Sequence, residues 1–249
     1  MKITEYTLKT GRFRRPLCLA LVSDLHGSDP TAPLQALRQA SPDYILMPGD
    51  IFEHLDGTEE RGFENGLELL REAAKICPTF YSAGNHEDGA TRSWSMKWRK
   101  TVRAREYNVS DIEKIKNTGV YVLEDGFAEL DGVAFGGLLT GLIFEGREPK
   151  TDWLDEFCSL ESPKVLLCHH PEYYEKYLKD KNIDIIVSGH AHGGQWRFFG
   201  RGVFAPGQGL FPKYTYGVHD NRFVISTGLK TGIIPRFFNP PEVVFVRIG

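Results

Sequence analysis

Residues 17–26 read LCLALVSDLH. The continuous apolar run over 17–22 predicts a short strand that is buried on both faces of a sheet. An acid and an imidazole, Asp24 and His26, follow the run directly. Because the carboxyl ends of strands in open α/β sheets meet at one crevice, this stretch predicts both a buried parallel strand and a polar site at its end.

Four further apolar runs end in polar motifs of the same kind. These motifs are Gly49-Asp50, Gly84-Asn85-His86-Glu87, His169-His170-Pro171 and Gly189-His190-Ala191-His192. Together the five strand ends offer two carboxylates, one amide oxygen and four imidazoles as metal ligands, namely Asp24, His26, Asp50, Asn85, His169, His190 and His192. Nitrogen and oxygen donors without sulfur suit Mn²⁺, Fe or Zn²⁺, and the sequence does not choose among them. Seven ligands are too many for one tetrahedral zinc site, so we expect two divalent ions that share a carboxylate.

The charge of such a site favours an anionic substrate. Two divalent ions, two carboxylates and one bridging hydroxide leave a formal charge of about +1 when the histidines are neutral. A positive pair of metals suits a phosphoryl group that undergoes in-line displacement.

Alternating apolar runs and helical patterns predict two sheets flanked by helices. Helices are expected over 32–40 and 63–76, and a hairpin over 120–139 that turns at Asp131-Gly132. Three segments near the C-terminus, 196–199, 223–227 and 243–248, are expected to be antiparallel strands. Because ligands from both halves of the chain build one site, we expect residues 1–249 to form a single domain.

Composition excludes several classes of protein. The chain has 249 residues, 41% hydrophobic and 25% charged, with a net charge of −3, which is ordinary for a globular protein and offers no overall charge for nucleic-acid binding. The longest stretch without a charge, 132–144, has 13 residues, too few to span a bilayer. The N-terminus has no apolar signal region, and the four cysteines, which form no CxxC pair, are expected in the core. We therefore expect a cytoplasmic protein, with peripheral contact at the inner membrane face left open.

The five motifs, in this order and spacing, resemble those of the calcineurin-like metallophosphoesterase superfamily: DxH, GD, GNH[ED], HxP and GHxH. The extension Gly193-Gly194-Gln195 and the segments 209–214 and 238–242 are similar to a bacterial branch with membrane- or wall-associated phosphodiesterases and UDP-diacylglucosamine pyrophosphatases. The resemblance covers nearly the whole chain and implies an α/β fold, a four-layer αββα sandwich of two mixed sheets. Many relatives in that branch carry an N-terminal anchor or export signal, and this sequence shows neither.

The resemblance also implies roles for the residues. Asp50 would bridge two metals, with Asp24, His26 and His192 completing one site and Asn85, His169 and His190 the other. His86 would face the substrate as the catalytic residue, stabilising the phosphorane charge or protonating the leaving oxygen.

The activity so implied is that of a hydrolase. It would cleave a phosphodiester, pyrophosphate or phosphomonoester of a small-molecule or lipid-linked substrate, with a metal-bridging hydroxide as nucleophile. Neither a nucleic acid nor an obligate protein partner is expected. The alternative is a non-catalytic scaffold that keeps the fold and binds a partner protein.

Several residues keep two interpretations. Because adjacent strand residues point to opposite sides, only one of His169 and His170 is expected to reach the metal. The HxP spacing selects His169, which favours a packing or supporting role for His170 over that of a ligand. Glu87 either orients a ligand or is a solvated acid. His54 and His219 are expected in an exposed loop and a hairpin turn. The basic segment 92–105, with Trp94 and Trp98 on one face of an expected helix, is either a solvated helix or a wall that meets substrate or anionic lipid. The aromatic residues Trp196, Tyr214 and Tyr216 either rim the site or pack in the core.

Overall fold

The computed structural model describes residues 1–53, 59–87, 92–94, 101–103, 109–141, 148–230 and 236–249. His54 lies outside these residues, and so do the side chains of 92–105, including both tryptophans of that segment. No helix in the described ranges has the length and apolar character needed to cross a bilayer.

The first sheet has six strands in the order β1-β18-β2-β3-β4-β7. Its strands, numbered along the chain, are β1 Lys2–Leu8, β2 Leu17–Leu21, β3 Tyr44–Met47, β4 Thr79–Tyr81, β7 Tyr121–Val122 and β18 Glu242–Ile248. Strands β2, β3, β4 and β7 run parallel, whereas β18 is antiparallel to β2 and parallel to β1.

The second sheet also has six strands, in the order β16-β17-β11-β10-β9-β8. They are β8 Gly126–Leu130, β9 Val133–Leu138, β10 Lys164–Cys168, β11 Ile185–Ser188, β16 Gly217–His219 and β17 Phe223–Ile225. The four central strands are parallel, and the edge strands β8 and β16 are antiparallel to their neighbours. Three antiparallel pairs complete the strands, namely β5 Arg92–Trp94 with β6 Thr101–Arg103, β12 Arg197–Phe198 with β13 Arg201–Gly202, and β14 Phe204–Ala205 with β15 Gly209–Leu210.

The helices cover the outer faces of both sheets. They are α1 Thr31–Ala40, α2 Glu59–Ile76, α3 Val109–Lys116 and α4 Leu154–Ser159, with a π-helical turn at Tyr174–Leu178 and a 3-10 turn at His192–Gly194. In α2, Phe63, Leu67 and Leu70 recur at helical spacing and are buried against the first sheet. The helix stops at Ile76, and Pro78, which cannot donate a backbone hydrogen bond, follows it.

Three apolar cores separate four layers. One core lies between the first sheet and α1, α2 and α3, a second lies between the two sheets, and a third lies between the second sheet and α4 with the π-helical turn. At the middle core Phe80 stacks on Phe135 with ring centroids 3.8 Å apart, and each such buried ring stabilises the fold by about 1.5–3 kcal/mol. The αββα sandwich predicted from the resemblance is confirmed.

Some predicted elements differ from the observed ones. The expected antiparallel strands at the C-terminus are partly wrong, because β17 joins β11 in parallel and β18 also pairs in parallel with β1. The expected hairpin over 120–139 is shorter than predicted. Its turn at Asp131-Gly132 joins β8 to β9, whereas β7 belongs to the other sheet. The helix expected over 92–105 is also wrong where the chain is described, since β5 and β6 are strands.

A close backbone approach brings the ends of β3 and β4 together. Gly49 has φ +94°, and a Cβ on it would lie 2.3 Å from the backbone nitrogen of Gly84. The two glycines therefore allow the loops that carry Asp50 and Asn85 to touch.

We expect Gly49→Ala to destabilise the fold by about 2 kcal/mol or more, because it adds a backbone clash to the cost of a left-handed alanine. The matched control is Gly132→Ala, at φ +75° with nothing within 4 Å of the added Cβ, which should cost only about 1 kcal/mol. Urea unfolding of the two variants measures the difference, and equal losses would show that the approach of the two loops is not tight.

Candidate metal centre

Backbone hydrogen bonds extend the pairing of β2 and β3 beyond the ends of both strands. The amides of Asp24, His26 and Gly27 donate to the carbonyls of Gly49, Asp50 and Ile51 at 3.1, 2.9 and 2.9 Å. The two loops therefore leave the sheet together and hold their polar side chains over the same edge.

The first cluster of possible ligands contains Asp24, His26 and His192, whose ligand atoms lie within 4.8 Å of one another. The His192 Nε2 atom lies 3.6 Å from Asp24 Oδ1 and 3.3 Å from His26 Nε2. These residues come from the ends of β2 and β11, and so from different sheets.

The second cluster contains Asp50, His169 and His190, and all three are buried. The Nε2 atom of His169 lies 3.1 Å from Asp50 Oδ2 and also 3.1 Å from Asn85 Oδ1. Since Asp50 Oδ2 is also 3.6 Å from His26 Nε2, this carboxylate lies between the two clusters. The seven side chains proposed from the sequence as ligands thus converge on one buried site.

Backbone conformation at the site is unusual. Five residues adopt positive φ, namely Asp24 (53°), His26 (48°), Asp50 (51°), His190 (63°) and His192 (45°). Left-handed residues other than glycine cost about 1–3 kcal/mol each and persist where the surrounding structure enforces them, above all at functional sites. The fold therefore holds these side chains in place at a cost in stability.

The electrostatics of the site suit bound cations. Burial, followed by the charge of a neighbouring histidine, lowers the pKa of His26, His190 and His192, and neutral imidazole is the form that binds metal. Burial alone would raise the pKa of Asp50, but the charges of His169 and His86 outweigh it and hold that pKa well below its ordinary value.

A buried carboxylate oxygen at the centre of the site also indicates that a cation binds there. Asp24 Oδ2 is buried and has no hydrogen-bond partner among the described residues. An unsatisfied buried carboxylate oxygen is costly unless a cation or donor meets it. With nitrogen and oxygen donors of this number and burial, the residues present fit divalent metal ions.

Glu53 is a site residue that the sequence analysis missed. Its carboxylate lies 3.1 Å from His26 Nδ1 and 2.9 Å from His86 Nδ1, and Lys230 Nζ donates to it at 2.6 Å. Burial opposes ionisation of Glu53, but its hydrogen bonds to the two histidines outweigh burial and lower its pKa. The position three residues after Asp50 was the only signal available in the sequence.

His86 lies beside the two clusters, with its Nε2 atom 3.9 Å from Asp50 Oδ2. Burial alone would lower the pKa of His86. The charge of Asp50 and the hydrogen bond and charge of Glu53 outweigh burial and raise this pKa above its ordinary value. The backbone amide of His86 donates to Asp50 Oδ1 at 2.9 Å, so its position is tied to the carboxylate between the clusters.

Glu87 is buried, and the interpretation of a solvated acid is wrong. Its carboxylate accepts backbone hydrogen bonds from Asp50, Phe52 and Gly84 at 2.9, 3.0 and 2.6 Å. Burial and the nearby charge of Asp50 raise the pKa of Glu87 to about 7. It fixes the backbone of Asp50, which is a supporting role for a possible ligand.

His170 and Glu172 form a support beside His190. His170 Nδ1 lies 2.9 Å from Glu172 Oε1, and the His170 ring centroid is 4.1 Å from that of His190. Burial opposes ionisation of Glu172, but the neighbouring His170 outweighs it and lowers the pKa to about 2. The interpretation of His170 as a packing or supporting residue agrees with these contacts.

The C-terminal segment closes the site from one side. Arg236 donates to His192 Nδ1 at 3.0 Å, and Asn239 donates to the carbonyl of His192 at 2.6 Å. The amide of Lys230 donates to the carbonyl of Asp24 at 2.7 Å. Sequence spacing could not reveal these contacts, since each one joins residues more than 40 positions apart.

The other residues singled out in the sequence are aromatic side chains, His219 and the cysteines. Tyr214 is buried against Tyr174 and Phe223, which confirms core packing, whereas Tyr216 is half-buried under the Arg197 guanidinium at 3.7 Å. His219 ends β16 at the hairpin turn, and its Nε2 atom lies 3.1 Å from the carbonyl oxygen of Tyr216. All four cysteines are free and contribute to the apolar cores or pack against them, although only Cys168 is fully buried.

Comparison with known proteins agrees with the motifs. The family model for calcineurin-like phosphoesterases matches residues 19–194. The chain is 38% identical over 256 residues to the protein YpbG of Bacillus subtilis (strain 168), with 100% of this chain and 87% of that protein covered.

Two more distant similarities were found. The chain is 26% identical over 199 residues to the phosphodiesterase YaeI of Escherichia coli (strain K12), covering 73% of this chain and 63% of that protein. Among solved structures, the Haemophilus influenzae NAD nucleotidase NadN superposes with a TM-score of 0.47 at 16% identity, covering 93% of this chain and 44% of that one. The family model covers more than half of the chain and includes all five motifs, and the chain therefore belongs to the calcineurin-like phosphoesterase family.

Proposed function

We propose that the chain is a binuclear metal-dependent phosphoesterase that hydrolyses a phosphodiester or pyrophosphate in preference to a phosphomonoester. The observation that carries this proposal is the position of Asp50, whose carboxylate lies between the clusters Asp24–His26–His192 and Asn85–His169–His190. A shared carboxylate between two ligand clusters is the arrangement that a two-metal site needs.

The proposed ions would supply Lewis acidity and lower the pKa of coordinated water toward about 7, which provides a nucleophile at neutral pH. The protein's own contribution is to hold neutral imidazoles and ionised carboxylates at fixed positions. Low pKa values at His190 and His192, caused by burial, keep these histidines unprotonated at neutral pH.

His86 is the proposed proton donor. Glu53 accepts a hydrogen bond from Nδ1 of the protonated ring, which leaves the Nε2–H free to donate to a leaving oxygen or to a developing phosphorane charge. Asp50 and Glu53 together raise the pKa of His86 despite burial, which favours the protonated ring that a general acid requires.

The preference for a diester or pyrophosphate rests on two supports. A relative of this chain bears the name phosphodiesterase, and the segments that follow the last motif are similar to the branch that includes pyrophosphatases. The substrate would be a small-molecule or lipid-linked phosphoester.

Metal-reconstituted protein tests the proposal. With Mn²⁺ it should hydrolyse bis(4-nitrophenyl) phosphate faster than 4-nitrophenyl phosphate, and chelation followed by Mn²⁺ should remove and restore the activity. Failure with Mn²⁺, Zn²⁺ and Co²⁺ alike across diesters, pyrophosphates and monoesters would instead favour the non-catalytic scaffold.

Glu53 is proposed as a positioning residue for His26 and His86. We expect Glu53→Gln to lower activity or metal affinity by about 10–100-fold, the usual effect of losing a partner that orients a ligand. Removing this charge should lower the pKa of His86, so the basic limb of the kcat profile should move to lower pH.

The pH profile and metal affinity of Glu53→Gln, compared with those of the exposed Glu64→Gln on α2, measure this role. If Glu53→Gln lowers kcat at every pH but does not move the basic limb of the profile, Glu53 does not act through His86.

A further inference from the structure

The exposed apolar side chains are concentrated on one part of the surface. Ten large hydrophobic residues are exposed in the described ranges, and seven of them lie between positions 198 and 238. We call these seven the aromatic rim: Phe198, Phe199, Phe204, Leu210, Phe211, Phe237 and Phe238. Apolar residues scattered singly over a surface are ordinary, whereas such a concentration marks an interaction site.

Direct contacts connect the aromatic rim. The rings of Phe198 and Phe238 have centroids 6.4 Å apart, and Phe204 pairs with Leu210 across the β14–β15 ladder. The amide of Phe211 donates to the carbonyl of Val203 at 2.9 Å, which extends the β14–β15 hairpin, and the amide of Val203 donates to the carbonyl of Trp196 at 3.0 Å, which joins that hairpin to the β12–β13 hairpin. The rim is therefore one surface built by three adjacent loops.

Three of these rings sit on disfavoured backbone. Phe199, Phe211 and Phe238 have φ of 50°, 51° and 53°, and their exposed fractions are 107%, 77% and 81%. Left-handed backbone is a genuine outlier for a bulky residue, and an exposed ring gains nothing from burial in the core. These three phenylalanines therefore lower stability in the free protein, which is expected when a side chain serves binding.

Two exposed cations adjoin the rim. Residues 185–241 contain six of the 30 Lys+Arg but one of the 33 Asp+Glu, in a chain of net charge −3. Exposed Arg201 and Lys213, of which Lys213 is also paired with Glu175, line an open cleft of about 570 Å³ beside Phe211 of the rim. The surface thus combines protruding rings with a cationic cleft.

The rim is also next to the candidate metal centre. The carbonyl of Phe237 accepts from the Arg197 amide at 3.1 Å, and Arg236, the preceding residue, donates to His192. A molecule or membrane bound to the rim would therefore lie at the edge of the candidate metal centre.

We propose that the aromatic rim docks the protein onto an anionic lipid bilayer. The rings of Phe199, Phe211 and Phe238 insert at the boundary between headgroups and acyl chains, and Arg201 and Lys213 meet the lipid phosphates. The acidic remainder of the chain orients the rim toward the anionic surface.

A second copy of the chain is a poorer occupant. A symmetric contact would place the same patch on itself, so that Arg201 and Lys213 of both copies would lie in one interface.

Vesicle co-sedimentation tests this docking. In buffer with chelator, and therefore independently of catalysis, the wild type should bind vesicles of phosphatidylglycerol and phosphatidylcholine, and should bind pure phosphatidylcholine far less. The triple variant Phe199→Asn, Phe211→Asn, Phe238→Asn should bind anionic vesicles at least about tenfold more weakly, because it removes the inserting rings. Its thermal midpoint should be unchanged or higher, since asparagine tolerates left-handed backbone.

Two controls sharpen the result. Ile3→Ser removes an exposed apolar side chain on β1 outside the rim and should leave binding unchanged, whereas Arg201→Glu with Lys213→Glu should weaken binding to anionic vesicles alone. The proposal is overturned if the wild type does not distinguish the two vesicle types, or if the triple variant binds like the wild type. It is equally overturned if light scattering shows a dimer that the triple variant dissociates.

Discussion

Asp50→Asn is expected to reduce phosphoesterase activity by about 10³-fold or more. The Asp50 carboxylate lies 3.6 Å from His26 Nε2 and 3.1 Å from His169 Nε2, so it can be shared by both proposed metal positions. An amide keeps the shape but lacks the charge that would offset two cations, and a lost shared ligand removes most of the metal contribution to catalysis.

The loss should be measured as kcat on a diester substrate at saturating Mn²⁺, together with the metal content of the purified variant. The matched control is Asp152→Asn, which makes the same chemical change at an exposed position before α4 and should keep wild-type turnover. An Asp50→Asn variant that retains two metals and more than a tenth of the activity would contradict the shared role.

His86→Ala is expected to lower kcat by about 10²–10⁴-fold, the usual range for a lost general acid. The raised pKa of His86, which Asp50 and Glu53 sustain against burial, is what suits it to donate a proton. The loss should be larger for a substrate with an alkoxide leaving group than for one with 4-nitrophenolate, because only the poorer leaving group depends on protonation.

Metal content provides the control for His86→Ala. His86 is proposed as a proton donor and not as a ligand, so the variant should retain two metals per chain. Equal losses of kcat for both leaving groups would show that His86 does not donate the proton. Its role would then be to stabilise the charge of the phosphorane.

The sequence predicted the core of the site because its signals are local. Each of the five motifs follows an apolar run, and strands that end at the same edge of the fold must bring Asp24, Asn85 and His190 together. The positive φ of Asp24, His26, Asp50, His190 and His192 could not be predicted, since it depends on how the loops after β2, β3 and β11 pack on one another.

The supporting residues could not be predicted for a different reason. Glu53 and Glu172 have no special sequence context, and only the fold shows that they face His86 and His170. Arg236 reaches His192 from 44 positions away. Pairing of β1 with β18 joins the two ends of the described chain, a non-local contact that hydrophobic periodicity does not encode. That residues 1–249 form a single domain stays a prediction.

The aromatic rim shows how average composition hides a local feature. A net charge of −3 over the whole chain gave no hint of the cationic stretch 185–241. Phe199 likewise lies in the segment 196–199, which the apolar pattern predicts as a strand, whereas the observed strand β12 ends at Phe198 and leaves Phe199 exposed in the turn.

Anomalous diffraction from Mn²⁺-loaded crystals would show whether two metals bind with Asp50 between them. We expect two anomalous peaks about 3.5–4 Å apart, one beside Asp24, His26 and His192, the other beside Asn85, His169 and His190, with Asp50 touching both. A single peak, a peak only beside His170 and Glu172, or no peak at saturating Mn²⁺ would contradict the binuclear site.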